Sequence, residues 1–200
     1  MKKQLFLLVF IFTGVTFLFS DSPLTSTPFY KAYSDINIIK EARVKGTLNL
    51  EMAEYLSSGS VSLDLKAALI NALSWDIDGK NNSDLYKYYL GLKYGVSVED
   101  IQFSQLLSYE IFCLGYIQAL DNYFHVQDSL RLLELAMEDL DTMLSANLVY
   151  SLVKTQGMMQ NQNWSNIWPM FDGLINDESL IVDIRPEAVS IILDYMVLYR

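Results

Sequence analysis

Apolar side chains recur at helical spacing from residue 29 to the C-terminus, and this pattern limits what the chain can fold into. Between residues 63 and 75, one helix face collects four of them, at i, i+4, i+7 and i+8: Leu65, Leu69, Ala72 and Leu73. Alternation of the kind found in β-strands is nearly absent. The sequence therefore predicts an all-α single domain over residues 29–200.

Capping residues, glycines and prolines predict where the helices of this domain begin and end. Ser83, Ser97 and Ser165 are expected N-caps, and Pro186 opens the last helix. Gly157 is expected to end the sixth helix. The expected helices are 29–44, 48–56, 63–75, 83–95, 97–123, 127–155 (with or without a break near Ser145), 165–175 and 186–200.

The fifth predicted helix, 97–123, carries apolar residues on almost every side, which is the pattern of a helix buried at the centre of a domain. Glu110 and Asp121 leave only a short uncharged stretch between them, so this helix is not expected to span a membrane. A weak internal similarity also involves it, because Ile70-Asn-Ala-Leu73 recurs 47 residues later as Ile117-Gln-Ala-Leu120. The predicted architecture is either stacked antiparallel helix pairs, like a short solenoid, or an irregular helical bundle.

Residues 1–20 have the composition of a secretory signal peptide. Lys2 and Lys3 precede an apolar run of roughly 15 residues, which is shorter than a spanning helix needs, and Ser20 is the expected last residue before cleavage. Residues 21–28, with two prolines, are predicted to form an extended leader. The mature protein is expected to be exported to the periplasm, the cell surface or the medium, without a stable membrane span.

The charge that remains after cleavage limits the partners. Of the 14 lysines and arginines, Lys2 and Lys3 leave with the peptide, so 12 basic residues face 24 acidic ones, a formal net charge of −12. Such a chain repels phosphate backbones and lacks a basic patch, which argues against nucleic acid. The expected partner is another protein.

Nucleophile, metal and cofactor motifs are not found in the sequence. Cys113 is the single cysteine and lies in an apolar run, which predicts a buried thiol, no internal disulfide and reliance on the apolar core. His125, the single histidine, lies about 18 Å from Cys113 along a helix at 1.5 Å per residue, too far to form a catalytic pair. No cofactor is predicted.

Two acidic groups are candidate sites. Asp76, Asp78 and Asp84 lie in a segment that resembles part of a calcium loop, although its register fails at both ends. Glu134 and Glu138 share a helix face, where two carboxylates bind a cation or act as acid and base. A polar turn and a solvated helix face, respectively, are the simpler explanations.

Aromatic residues form the candidate ligand-binding set. Tyr109, Tyr116 and Tyr123 recur every seven residues, and Trp164 and Trp168 lie four residues apart. Exposed aromatic rings anchor protein partners or stack on sugars, whereas packing in the core is the alternative use.

Together these patterns predict an exported, non-enzymatic helical protein that acts as a protein-interaction module. The alternative is a helical protein that binds a small molecule, a glycan or a cation through its tyrosines and neighbouring acids. A hydrolase that uses carboxylates alone is the third hypothesis.

Overall fold

The fold consists of helices joined by short turns. The computed structural model describes residues 22–200, apart from the side chain of Gln160, so the predicted signal peptide lies outside the described residues. The predicted all-α fold is confirmed, since no strand forms in that range. The helices are α1 (Pro23–Ser26), α2 (Asn37–Lys45), α3 (Leu50–Leu56), α4 (Leu63–Leu73), α5 (Asn82–Tyr94), α6 (Ser108–Asp121), α7 (Gln127–Leu140), α8 (Leu144–Gln160), α9 (Ile167–Ile175) and α10 (Pro186–Met196).

The central helix α6 is buried on nearly every side, as its apolar sequence predicts. It begins at Ser108 rather than near Ser97, because the residues between are mostly exposed and have little burial to hold a helix. The Glu110 side chain accepts a hydrogen bond from the Leu107 N–H at 3.1 Å, which caps the true start of α6. Within residues 22–200, no helix is long and apolar enough to cross a bilayer.

The first predicted helix, 29–44, is divided in two. Residues Phe29–Tyr33 form a 3-10 turn, and α2 starts only at Asn37. The Ser34 hydroxyl donates to the Lys31 carbonyl at 2.7 Å, and such side-chain bonds to the backbone compete with helix continuation. Gly46 ends α2 in the left-handed conformation, as expected.

Other predicted helix boundaries also differ from the structure. Gly157 does not end α8, because it is buried and Met159 beyond it packs into the core, which outweighs the cost of a helical glycine. Ser83 is not an N-cap, since α5 already begins at Asn82. Ser165 lies within a 3-10 turn, Trp164–Asn166, that precedes α9.

The predicted extended leader is wrong for residues 22–28, because this segment contains the helical turn α1 and packs into the core. Leu24 and Thr27 are both about 1% exposed. The Ser22 hydroxyl caps the turn and also bonds the Gln156 side chain of α8. The Asn71 amide donates to the Thr27 carbonyl at 3.2 Å. Burial of Pro23 and Leu24 holds this segment in the core, and Pro23 stands at the first helical position, which proline favours.

The two ends of the described chain meet, and the architecture is therefore an irregular bundle rather than a solenoid. The turn Phe29–Tyr33 packs against α10, and α1 packs against α8. The Arg185 guanidinium bonds both carboxylate oxygens of Asp35, at 2.5 and 3.0 Å, and the Ala32 carbonyl at 2.8 Å. In a solenoid, each repeat contacts only its neighbours.

Charged side chains are buried around the carbonyl end of α3, where the last carbonyls lack partners within the helix. Lys66 of α4 is fully buried, and its ammonium donates to the carbonyls of Leu56 and Ser58 at 2.7 and 2.6 Å. The same ammonium lies 3.9 Å from the centre of the Tyr109 ring. Burial lowers the pKa of Lys66 below its usual value, so the carbonyls and the ring must compensate a desolvated cation.

A second lysine joins α3, α5 and α6 at the same place. Lys93 donates to the Ser57 carbonyl at 3.3 Å and to the fully buried Glu110 carboxylate at 2.6 Å. Glu110 also accepts from the Tyr94 hydroxyl at 2.6 Å. These bonds fix the ends of three helices relative to one another.

Replacing Glu110 tests this buried network. The variant Glu110→Ala is expected to lose about 3–5 kcal/mol of unfolding free energy, because the partners of the carboxylate stay behind without it. Glu138→Ala, at an exposed helical position, is the control and is expected to change the value by less than about 0.5 kcal/mol. Urea denaturation followed by circular dichroism measures both. Equal losses of unfolding free energy in the two variants would contradict a stabilising role for the hydrogen bonds of Glu110.

Removing residues 21–28 tests the docking of α1. A chain that begins at Phe29 is expected to lose at least about 2 kcal/mol of unfolding free energy, since burial of Leu24 alone contributes about that amount. Leu24→Ala is the matched point variant, and Leu198→Ala, at an exposed site, is the control. An unchanged denaturation midpoint in the shortened chain would mean that the segment is a dispensable leader.

Candidate functional site: an apolar groove and a polar cleft

An apolar groove of about 310 Å³ lies between α3 and α5 and is called the α3/α5 groove. On α5 its residues fall at i, i+3, i+4 and i+7, so they form one continuous stripe along that helix. The lining residues are Leu48, Asn49, Leu50, Ala53, Leu85, Tyr88, Tyr89 and Leu92. The groove is therefore a shallow trough between two helices, with an apolar floor and walls.

The stripe is the second apolar face of α5. The first face is turned inward, where Tyr86 and Leu90 are fully buried. The outer face is exposed to solvent: Tyr88 is 61% exposed, Leu92 63%, and Leu50 on the opposite wall 63%. Clustered apolar side chains of this size on a soluble domain typically mark a binding surface.

Hydrogen bonds at both ends of the groove hold its walls in place. At one end, Asn82 of α5 accepts from the Leu48 N–H at 2.8 Å and donates to the Gly46 carbonyl at 3.3 Å. At the other end, Lys93 of α5 bonds the Ser57 carbonyl that follows α3. Because both ends are fixed, the trough is formed before anything binds to it.

One acidic residue lies near the groove on the α3 side. Glu54 is exposed on α3 and forms no ion pair with another described residue. Burial raises the pKa of Tyr89, and the charge of Glu54 adds to that rise, which places this carboxylate near the groove. Glu54 therefore favours positive charge in a ligand on the α3 side of the groove, while Lys93 lies at the Ser57 end.

A second and separate depression, called the polar cleft, lies between the turn after α4 and the end of α6. Its volume is about 540 Å³. Gly79 has φ +80°, and a Cβ there would lie 3.1 Å from the Asp121 carbonyl oxygen, so glycine allows the turn to approach α6 closely. The lining residues are Asp76, Ile77, Asp78, Gly79, Lys80, Asn81, Asp121, Asn122, Tyr123 and Phe124.

Lys80 is the cation in this lining, and the fold already engages its ammonium. The Nζ atom donates to the carbonyls of Gly46 and Leu73 at 2.9 and 2.5 Å, at the ends of α2 and α4. Its backbone N–H donates to the Asp121 carbonyl at 3.0 Å. Lys80 thereby joins three helix ends, and its charge also interacts favourably with the carboxylates of Asp121 and Asp76.

Asp121 is the buried carboxylate of the polar cleft and is only 5% exposed. Its Oδ2 accepts from the Ser83 N–H at 2.6 Å, whereas Oδ1 has no hydrogen-bond partner among residues 22–200. Burial raises the pKa of Asp121 above its usual value. The carboxyl of Asp121 therefore binds a proton more readily in the folded state than in the unfolded chain. As a result, its contribution to the free energy of unfolding falls as the pH rises above about 3.8, the usual pKa of an aspartate.

The five predicted aromatic residues do not form one site. Tyr116 is fully buried and accepts from the Asn71 amide at 3.0 Å, and Tyr109 lies over Lys66. Trp164 stacks on Tyr199 with ring centres 6.1 Å apart, while Trp168 lies under Arg200. Tyr123 lines the polar cleft, where its ring contacts Trp75 edge to face at 4.8 Å.

The predicted acidic sites are also divided. Asp76 and Asp78 line the polar cleft, but Asp84 is directed to Lys87, 3.9 Å away. Glu134 lies 3.3 Å from the Tyr150 hydroxyl, and Glu138 is exposed. Throughout the described range, no group of three or more His, Cys, Asp or Glu side chains could hold a metal ion. The ligand and metal roles of all these residues stay predictions.

Cys113 is buried, as predicted, and burial raises the pKa of its thiol to about 12. A thiol in that environment is a poor nucleophile.

Sequence reasoning missed the residues of the groove and the role of Asp121. The signal for the groove was present, since α5 has apolar residues at two sets of helical spacings, and a helix at the surface of a domain buries only one such face. No signal marked Asp121, because its burial depends on contacts between α6 and the start of α5, 38 residues away in the chain.

No protein-family model, curated protein or solved structure matches this chain. Its functional assignment therefore depends on the geometry of the groove and the cleft.

Proposed function

We propose that this chain is an exported helical protein whose α3/α5 groove holds a basic amphipathic helix of a partner protein. The observation that carries the proposal is the outward apolar stripe of α5, which faces Leu50 across the trough. The stripe repeats at i, i+3, i+4 and i+7, so it forms one continuous apolar surface along α5. A docked amphipathic helix, whose own apolar anchors follow the same spacing, can lie along such a surface.

The chemistry of the rim supports a basic partner. Glu54 offers a carboxylate near the groove that forms no ion pair among residues 22–200, and the chain without residues 1–20 has a formal net charge of −12. Lysines or arginines on the polar flank of a docked helix would neutralise this carboxylate. Opposite charges on the two surfaces would also speed association and disfavour acidic competitors.

Export is part of the proposal and follows from residues 1–20. The basic start, apolar run and small residue at the cut direct a chain to the secretory pathway. The partner would then be another exported or surface protein.

Two exposed groove residues provide the test. Wild-type protein is expected to bind a synthetic amphipathic helix made of leucine and lysine, and the double variant Tyr88→Ser/Leu92→Ser is expected to weaken binding at least about tenfold. Each apolar anchor contributes about 1.5–3 kcal/mol when it is buried by a partner. The melting temperature should stay unchanged, because both side chains are exposed in the free protein. Calorimetric titration measures the affinity.

Two controls separate docking from charge attraction. The double variant Val182→Ser/Leu198→Ser removes equally exposed apolar side chains outside the groove and should bind as the wild type does. A peptide with the same composition, whose leucines do not share a helix face, should bind weakly. If both peptides bind alike, or both double variants behave alike, the groove is not the docking site.

A further inference from the structure

We propose that a pocket beside α1 binds a small organic anion, a carboxylate carried on an aromatic body. The pocket, called the N-terminal pocket, lies between residues 24–31, Arg43 in the last turn of α2, and the end of α4 at Ser74 and Trp75. Its volume is about 280 Å³. It shares no lining residue with the α3/α5 groove or the polar cleft, so the proposal does not depend on the function of the groove.

The charge of the lining is opposite to that of the chain. Lys31 and Arg43 both line the pocket, whereas no aspartate or glutamate does. Asp76, which follows Trp75 in the chain, lines the polar cleft instead. Neither Lys31 nor Arg43 forms an ion pair with another residue between 22 and 200. In a chain with a formal net charge of −12 after residue 20, this purely positive lining favours an anionic ligand.

Arg43 is placed to recognise a carboxylate. Its guanidinium carbon lies over the Tyr30 ring, 5.7 Å from the ring centre. Contact with a ring face restricts the long side chain but leaves the N–H groups available. A guanidinium held in this way can donate two parallel hydrogen bonds to the two oxygens of one carboxylate.

The pocket is formed before a ligand enters it. Asn71 of α4 is 7% exposed, accepts from the Tyr30 N–H at 3.0 Å and donates to the Thr27 carbonyl at 3.2 Å. These two bonds hold residues 27–30, which form one wall, against α4. A preformed pocket loses less conformational entropy when a ligand binds.

Another wall contains a strained residue. Ser74 ends α4 with φ 62° and ψ −177°, a conformation that residues other than glycine rarely adopt. Backbone strain of this kind clusters at ligand sites, where the surrounding structure maintains it. It supports the assignment of this wall to a binding pocket.

The apolar part of the lining suits an aromatic body. The Trp75 ring is fixed by its edge-to-face contact with Tyr123 at 4.8 Å, and Leu24 and Leu120 are buried. Inorganic phosphate would use the two cations but would leave these apolar surfaces uncovered, and an aromatic amine would be repelled. Since small-molecule pockets usually measure about 300–1,000 Å³, this volume selects a small ligand.

Calorimetric titration of a chain of residues 21–200 with defined probes tests the proposal. Phenylacetate and indole-3-acetate carry both the carboxylate and the ring, so at least one of them is expected to bind saturably. Acetate and inorganic phosphate, which lack the ring, and phenethylamine, which reverses the charge, are each expected to bind at least about tenfold more weakly.

Three variants at exposed positions assign the binding to the pocket. Arg43→Gln is expected to weaken phenylacetate or indole-3-acetate at least about tenfold, because it removes the charge-assisted hydrogen bonds. Lys31→Gln is expected to weaken it several-fold. Lys40→Gln, one turn before Arg43 on α2 and outside the lining, is the matched control and should bind as the wild type does. The melting temperatures should remain unchanged, because these side chains are exposed.

The results separate a carboxylate site from its alternatives. Loss of affinity in Arg43→Gln and Lys31→Gln, with full affinity in Lys40→Gln, supports the pocket. An equal loss in all three variants means general charge attraction and overturns it. Equal affinity for acetate or phosphate means that the site reads charge alone, and equal affinity for phenethylamine means that it reads the ring alone. Either result overturns the proposal, as does the absence of saturable binding by both aromatic carboxylates.

Discussion

The carbonyl end of α3 depends on the side chains of two lysines, the buried Lys66 and the more exposed Lys93. Three successive carbonyls, from Leu56 to Ser58, have no partner within a helix and accept from these two ammonium groups. Lys93 in turn depends on Glu110 of the central helix. Because these bonds join α3, α4, α5 and α6, the spacing of α3 and α5 is a consequence of the buried network. The α3/α5 groove is the outer surface between these two helices.

The sequence predicted the helical class, the buried central helix and the start of α10 at Pro186, because periodic apolar residues and caps are local signals. It failed where tertiary contacts outweigh local rules. Burial of Leu24 turns a proline-containing segment into part of the core, and burial around Gly157 carries α8 through a glycine. The partner of Glu110 lies 17 residues away and the donor to Asp121 lies 38 residues away, so no local pattern reveals either contact.

The two candidate sites share one physical property: each carries a group that reduces the stability of the isolated domain. The α3/α5 groove exposes leucines that water solvates poorly, and Asp121, which lines the polar cleft, buries a carboxylate oxygen that has no hydrogen-bond donor among residues 22–200. Binding sites commonly retain such costs, because the ligand removes them.

The most direct test of the docking function is a map of where the amphipathic Leu/Lys helix contacts the protein. Backbone amide shifts of a chain of residues 21–200 would be recorded by NMR during titration with the peptide. The account predicts that the largest changes lie along α3 and α5, at Leu50, Leu85, Tyr88 and Leu92. Changes spread evenly over the acidic surface, or centred on another face of the bundle, would contradict it.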